Sequence, residues 1–263
     1  MTASFDDFSV ITNNVEPIEP TEPIKPIEPI IDHPCGPGFW TQVALLNLTD
    51  PSQQCPPAWN ETTTAIGRGC TRPENSTGSC LSTIYSTLGV EYNQVCGRII
   101  GIQNTSTDAF RNLFNATIDG PYVDGVSLTH GMPRQHIWSF ASGLQESADS
   151  GANGCFCGDP VITPGTPPPI FVGTNYFCES GNSEQPRLNV VYTEDPLWDG
   201  LDCPTNNCCE LNSPPWFSAD LPELTTDDIE VRLCCDQDTT DENIIVQSLE
   251  LYVSQQTTPT DPD

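Results

Sequence analysis

The apolar and polar positions alternate most cleanly near the C-terminus. In Ile229-Glu-Val-Arg-Leu-Cys-Cys235, the side chains of Ile229, Val231, Leu233 and Cys235 fall on one side of an extended strand. Those of Glu230, Arg232 and Cys234 fall on the other. The adjacent cysteines therefore take different partners. Residues 245–253 repeat the period of two, with Ile245, Leu249, Leu251 and Val253 predicted inward. Residues 39–48 are a mostly apolar run ending in a sequon, and 90–103, 126–129, 136–140, 170–172, 176–178 and 187–193 read as further strands. Between them lie turns such as Asp119-Gly120-Pro121, Asp124-Gly125 and His130-Gly131. Residues 50–79 read as turn-rich, 108–114 as a helical turn or two, 142–154 as a loop and 161–169 as a proline-rich link. Short strands punctuated by Gly and Pro predict an all-β, jelly-roll-like β-sandwich over 35–254, stapled by disulfides.

The N-terminal part follows a different rule. Residues 16–30 read Glu-Pro-Ile, Glu-Pro-Thr, Glu-Pro-Ile, Lys-Pro-Ile, Glu-Pro-Ile, a period of three that predicts a polyproline II rod. Three residues per turn give three faces. Pro17, Pro20, Pro23, Pro26 and Pro29 form one, Ile18, Thr21, Ile24, Ile27 and Ile30 a second, and Glu16, Glu19, Glu22, Lys25 and Glu28 the third. At about 3.1 Å per residue the rod reaches roughly 47 Å, well beyond the ~18 Å radius of gyration of a chain of this length. It cannot bury its apolar edge against itself and so needs a groove on another body. Before it, residues 3–12 have strand alternation, with Phe8 and Val10 on one face and Phe5 and Ile11 on the other. Such a strand either adds to the sheet edge of another copy, belongs to its own sheet, or frays. The predicted organisation is an arm over 1–34, the sandwich over 35–254 and a tail over 255–263.

Composition then places the chain. Against 36 acidic residues stand 8 Lys and Arg, a net charge of −28 that repels nucleic acid and anionic membranes. Thirteen cysteines accompany five Asn-X-Ser/Thr sequons, at Asn47, Asn60, Asn75, Asn104 and Asn115. Together they predict a secreted, extracellular glycoprotein carrying N-linked glycans. Disulfide pairing is expected among Cys35, Cys55, Cys70, Cys80, Cys96, Cys155, Cys157, Cys178, Cys203, Cys208, Cys209 and Cys234, with Cys70–Cys80 as the candidate local bridge. The odd count leaves one thiol free or paired between chains. Residues 1–15 lack a basic start and a continuous apolar core, so a secretory signal is expected upstream of the sequence or already removed. No run approaches the 18 apolar residues of a membrane span.

Candidate chemistry is sparse. Cys155-Phe-Cys157, Cys203, Cys208-Cys209 and Cys234-Cys235 lack the paired spacing of a zinc site, and disulfides fit them better. Ser127, His130, Asp124 and His136 lie close in sequence but without a nucleophile elbow, and structural roles are expected for both histidines. The acids between Asp195 and Asp202 have no separation readable from sequence. Clustered carboxylates leave calcium as an option. Trp59, Trp198 and Trp216 beside polar turns are candidates for stacking a sugar ring, with core packing as the competing role. No cofactor and no metal are expected.

Several segments are also familiar in order. These are Leu46-Asn-Leu-Thr-Asp-Pro-Ser-Gln-Gln-Cys-Pro56, Val95-Cys-Gly-Arg-Ile-Ile-Gly101, Tyr122-Val-Asp-Gly-Val-Ser-Leu-Thr-His130, Pro133-Arg-Gln-His-Ile-Trp138, Asp195-Pro-Leu-Trp-Asp-Gly200, Asp227-Asp-Ile-Glu-Val-Arg232 and Glu250-Leu-Tyr-Val253. Over 35–253 the chain resembles an uncharacterised cysteine-rich secreted domain of aquatic invertebrate proteins, from which the doubled Cys235 and Ser218 depart. The resemblance implies an extracellular home and assigns no catalytic residue. The layout of an arm before a glycosylated globule looks like the protomer of an extracellular glycoprotein filament. The expected function is thus non-enzymatic: copies joined head to tail through Phe5, Phe8, Val10, Ile18, Ile24, Ile27 and Ile30. The alternative is an extracellular carbohydrate-binding module with the arm as a linker.

Overall fold

The computed structural model describes residues 33–64, 67–73, 80–104, 117–119, 125–144, 169–181, 216–234 and 243–255. Residues 1–32 of the predicted arm, Cys155, Cys157, Cys203, Cys208, Cys209 and Cys235, Trp198, and the expected elements at 108–114 and 187–193 lie outside them. The described residues are all-β, with no helix and eleven strands in two sheets. These are β1 (Thr41–Asn47), β2 (Asn60–Thr64), β3 (Gly67–Thr71), β4 (Cys80–Tyr85), β5 (Tyr92–Asn104), β6 (Gly125–His130), β7 (Gln135–Leu144), β8 (Tyr176–Gly181), β9 (Phe217–Thr225), β10 (Ile229–Cys234) and β11 (Asn243–Ser254). One sheet runs β2-β3-β11-β5-β9, and β1 pairs with the C-terminal half of β11, beyond its contact with β3. The other runs β4-β10-β6-β7-β8, with only β7 and β8 parallel. Apolar faces of both sheets share one buried cluster, so the domain is a disulfide-stapled sandwich.

The inward alternation is as read for β10, where Ile229, Val231 and Leu233 join the core. In β11 a bulge between Val246 and Ser248 shifts the pattern by one residue. Ile244 and Val246 therefore face the core together with Leu249, Leu251 and Val253. Ile245, expected inward, is buried on the other side, where its Cγ2 would lie 2.5 Å from a Cβ on Gly69. The pattern underestimates the sheets elsewhere. Residues 170–172 form a turn, not a strand, and β7 continues to Leu144 through the expected loop. β2 and β3 were hidden in the turn-rich segment because Asn60-Glu-Thr-Thr-Thr and Gly67-Arg-Gly-Cys-Thr have almost no apolar residues. β9 carries Pro222, which an edge strand tolerates and a central one does not.

Across the sandwich, Trp138 of β7 stacks on Phe217 of β9 with ring centroids 4.0 Å apart and planes 10° from parallel. Gly97 makes room for this contact. A Cβ there would meet the Glu250 carbonyl oxygen at 2.4 Å, Leu251 Cδ2 at 2.7 Å and Phe217 Cε1 at 2.9 Å.

Three disulfides join Cys35 to Cys96, Cys55 to Cys70 and Cys80 to Cys234. The expected Cys70–Cys80 bridge is not formed. Cys70 sits on β3 of one sheet and Cys80 on β4 of the other, where it is directly opposite Cys234 with Cα atoms 4.0 Å apart. Loop-closure entropy ranks the bonds by the chain they close, 154 residues for Cys80–Cys234 and 15 for Cys55–Cys70.

Two consequences can be measured by urea denaturation. Trp138→Ala is expected to cost about 3–5 kcal/mol and Gly97→Ala about 1–3 kcal/mol from overpacking against backbone; equal stability of both with the parent would contradict the stacked core. Replacing Cys80 and Cys234 together by Ser should cost about 5 kcal/mol, against about 3 kcal/mol for Cys55 with Cys70. The reverse ranking would show that loop closure is not what these bonds contribute.

Candidate functional site

The outer face of the first sheet carries the most unusual surface. Around Cys96 the alternation of β5 turns Val95 and Gly97 to the core and Cys96 and Arg98 outward. Cys96 bonds Cys35, so the chain entering from residue 33 is pinned to this face. Cys96 is opposite Tyr252 of β11, which is opposite Gln42 of β1, and Arg98 is opposite Glu250. Four rings line up here. His33 stacks on Trp40 at 5.9 Å and 15°, meets Tyr252 edge-on at 4.6 Å and 78°, and Tyr252 meets Trp216 at 6.2 Å and 45°. All four are half-buried.

Polar groups frame the row. The Arg98 guanidinium lies 4.9 Å over the Trp216 ring and donates to Glu250 at 2.6 Å. Gln42 Nε2 donates to the Tyr252 hydroxyl at 3.0 Å, and Trp40 Nε1 donates to the Gly36 carbonyl at 3.1 Å. Burial, then the neighbouring Glu250 carboxylate, raises the Tyr252 phenol above its ordinary range, so it stays a neutral hydroxyl. The row thus presents apolar ring faces and edges whose nearby charges are already paired.

The second sheet turns a polar face outward. Glu230 of β10 accepts from Arg134 through two bonds of 2.5 and 2.9 Å and from Thr129 at 2.8 Å, and Arg134 also reaches Asp119. Burial raises the Glu230 carboxyl, but Arg134, Ser82 and Thr129 outweigh it and bring it down to about 2. Beside this pair, His130 Nδ1 lies 2.9 Å from Asp227 Oδ2, and Asp228 accepts from the Thr87 amide at 3.0 Å. Together with the exposed side chains of Ile84 and Met132 they line a half-open cleft of about 480 Å³. Its carboxylates have partners already, and among the described residues no His, Cys, Asp or Glu group is arranged to hold a metal.

The hydrolase candidates are separated. Ser127 is fully buried and opposite Ser139, which lies 2.9 Å from His136 Nε2, whereas His130 belongs to the cleft. Burial, then the Arg232 guanidinium, pushes His136 down to about 4. A cation next to the base opposes the imidazolium that serine attack must create, and the Ser139 hydroxyl has no access to solvent. His136 is thus held away from any described serine with solvent access, His130 pairs with Asp227 in the cleft, and Asp124 lies outside the described residues.

Of the sugar-stacking candidates, Trp59 is buried and donates to the Leu81 carbonyl at 3.3 Å, whereas Trp216 belongs to the outer row. Sequence reading missed His33, Trp40 and Tyr252, which only the register of β1, β11 and β5 brings together. Among the sequons, the Asn47 Oδ1 accepts from the amide and hydroxyl of Thr49, and Asn60 is exposed on edge strand β2. Asn104 ends β5, and Asn75 and Asn115 lie outside the described residues. Comparison with family models, curated proteins and solved structures finds no match for the chain.

The pH dependence follows from two groups. His136 is depressed to about 4 in the fold, so its contribution to stability is complete above its unfolded value near 6.5 and is lost as pH falls from there to about 4. Glu230, depressed to about 2, adds a loss that begins below about 4.5 and ends near 2. His136→Gln should flatten the first window and Glu230→Gln the second, each with a slope of at most about 1.4 kcal/mol per pH unit. A parent whose denaturation midpoint is constant from pH 7 to 4 would refute the buried neutral imidazole.

Proposed function

We propose that the protein is a structural protomer of a secreted glycoprotein filament or matrix, assembled head to tail through its N-terminal arm. The observation that carries this is the Cys35–Cys96 disulfide. It fixes the root of a proline-rich arm to β5, an interior strand of its sheet, paired with β11 at eleven positions and with β9 on the other side. A passive linker needs no such anchor. A tether under load does, because a pull on residue 35 is then shared by the ladders flanking β5 instead of peeling the edge of the sheet.

Three further facts agree with this reading. Three disulfides require an oxidising environment. Among the described residues each sheet is open, leaving strand edges on which residues 3–12 of another copy could add. A donor surface that differs from its acceptor propagates as an open helix unless the rotation closes. A second reading, an oligosaccharide-binding module, is favoured by the half-exposed rings of Trp216 and Tyr252.

The two readings part on truncation. Removing residues 1–31 should convert polymers into monomers in sedimentation velocity and negative-stain images while leaving the melting midpoint unchanged. A full chain that sediments as a monomer at micromolar concentration, with oligosaccharide binding that survives the truncation, would favour the module and end the filament reading.

A further inference from the structure

Resting on that reading, we infer that the ring row His33, Trp40, Tyr252 and Trp216 is the acceptor for the polyproline rod, residues 16–30, of a second copy. The geometry of the rings selects this occupant. A sugar-binding platform is flat, but here the row breaks twice, by 78° between His33 and Tyr252 and by 45° between Tyr252 and Trp216. The rings touch one another, so at such angles they form a stepped surface with shallow notches where the planes change. Proline rings on one face of a polyproline II helix can seat against such notches, because the helix is already extended and its backbone carbonyls remain free to accept.

Length and charge agree. Ring centroids follow one another at 5.9, 4.6 and 6.2 Å, so the row extends at most about 17 Å. A polyproline II helix advances about 9.3 Å per triplet, so the row accepts nearly two of the five. Arg98 lies over Trp216 with its charge shared with Glu250. It can take a Glu of the rod as a second partner, while the Gln42 side chain, exposed beside Tyr252, is placed to donate to a rod carbonyl. The row's own chain has its root at this face, since His33 is part of the row and Cys35 is bonded to Cys96. Each junction therefore brings the arriving arm of one copy onto the departing arm of the next, which makes the chain of copies continuous in tension.

The test uses donor–acceptor complementation. The chain lacking residues 1–31 retains the row without an arm, together with all three disulfides. The full chain carrying Trp216→Ala and Tyr252→Ala retains the arm without the row. Each should sediment as a monomer, and an equimolar mixture should form a one-to-one dimer. A mixture that stays monomeric overturns the proposal, including the case in which each arm lies on its own row. Polymers of the Trp216→Ala, Tyr252→Ala chain equal to those of the parent show that the row is not the acceptor, although the arm still joins copies. If the parent itself does not polymerise, the proposed function falls too.

A peptide of residues 16–30, titrated into the arm-deleted chain by tryptophan fluorescence, separates lost binding from lost folding. Trp216→Ala should weaken it at least tenfold with an unchanged near-ultraviolet spectrum, as should replacing Pro20, Pro23 and Pro26 of the peptide by Ala. Saturable binding of chitotriose or mannotriose at the row, with no binding of the peptide, would assign the surface to sugar instead.

Discussion

The structure depends on one crossing of inside and outside at the start of β9 and the middle of β5. Phe217 is drawn into the core by its stack on Trp138, and it can come that close because Gly97 has no side chain. Its neighbour Trp216 is thereby set on the opposite side, beside Tyr252 and beneath Arg98. One residue along β5 from Gly97, Cys96 holds the arm root on that same outer face. Core packing thus positions the surface row. A chain that loosened the Trp138–Phe217 contact would lose stability and also the placement of the ring that Arg98 covers.

Much of the fold was legible because a period of two needs only an apolar face. β10 and most of β11 follow it, whereas β6 is buried at every position and a bulge in β7 brings both Ile137 and Trp138 into the core. It failed where the local chain gives no warning. The bulge at Val246 to Ser248 inverts Ile245, and nothing in Ile-Ile-Val-Gln-Ser marks the extra residue. β2 and β3 are strands by virtue of backbone pairing, the five polar residues of β2 lying opposite Thr71, Cys70, Gly69, Arg68 and Gly67. The outer row was illegible for a stronger reason. Residues 33, 40, 98, 216 and 252 share one surface only after strands from both ends of the chain are brought into register, and Trp216 alone was conspicuous in the sequence. The Cys80–Cys234 bond is of the same kind, since spacing favours a neighbour and register chose a residue 154 positions away.

Charge shapes what such a surface can accept. Among the described residues, Arg68, Arg98 and Arg134 each face a carboxylate, at Glu61, Glu250 and Glu230. Arg72 and Arg232 are buried. With a net charge of −28 and one lysine in the whole chain, Lys25, little cationic surface is left for a polyanion. A partner must be held by ring contacts, backbone hydrogen bonds and shared use of paired arginines. Exposed like charges are screened over about 8 Å at physiological salt, so repulsion between copies acts mainly where their surfaces approach sideways. The same repulsion resists lateral bundling more than end-to-end joining, because an end-to-end joint brings less of the two surfaces together.

The proposed joint would also have to overcome the cost of ordering the arm. Fixing one flexible residue costs about 1–2 kcal/mol, which over fifteen residues would exceed what four isoleucine side chains of roughly 1–3 kcal/mol each return on burial. An ordinary flexible arm of that composition would therefore bind poorly. Proline in every triplet changes the balance, because ring closure fixes φ in the free chain and the rod spends that entropy before it meets a partner. On the proposed reading each residue of the repeat has a physical role: proline for stiffness and for seating on the ring row, isoleucine for burial, glutamate for solubility. A scrambled arm of the same composition keeps the hydrophobicity and loses the three faces, so it keeps the ordering cost and gives up the fit that offsets it.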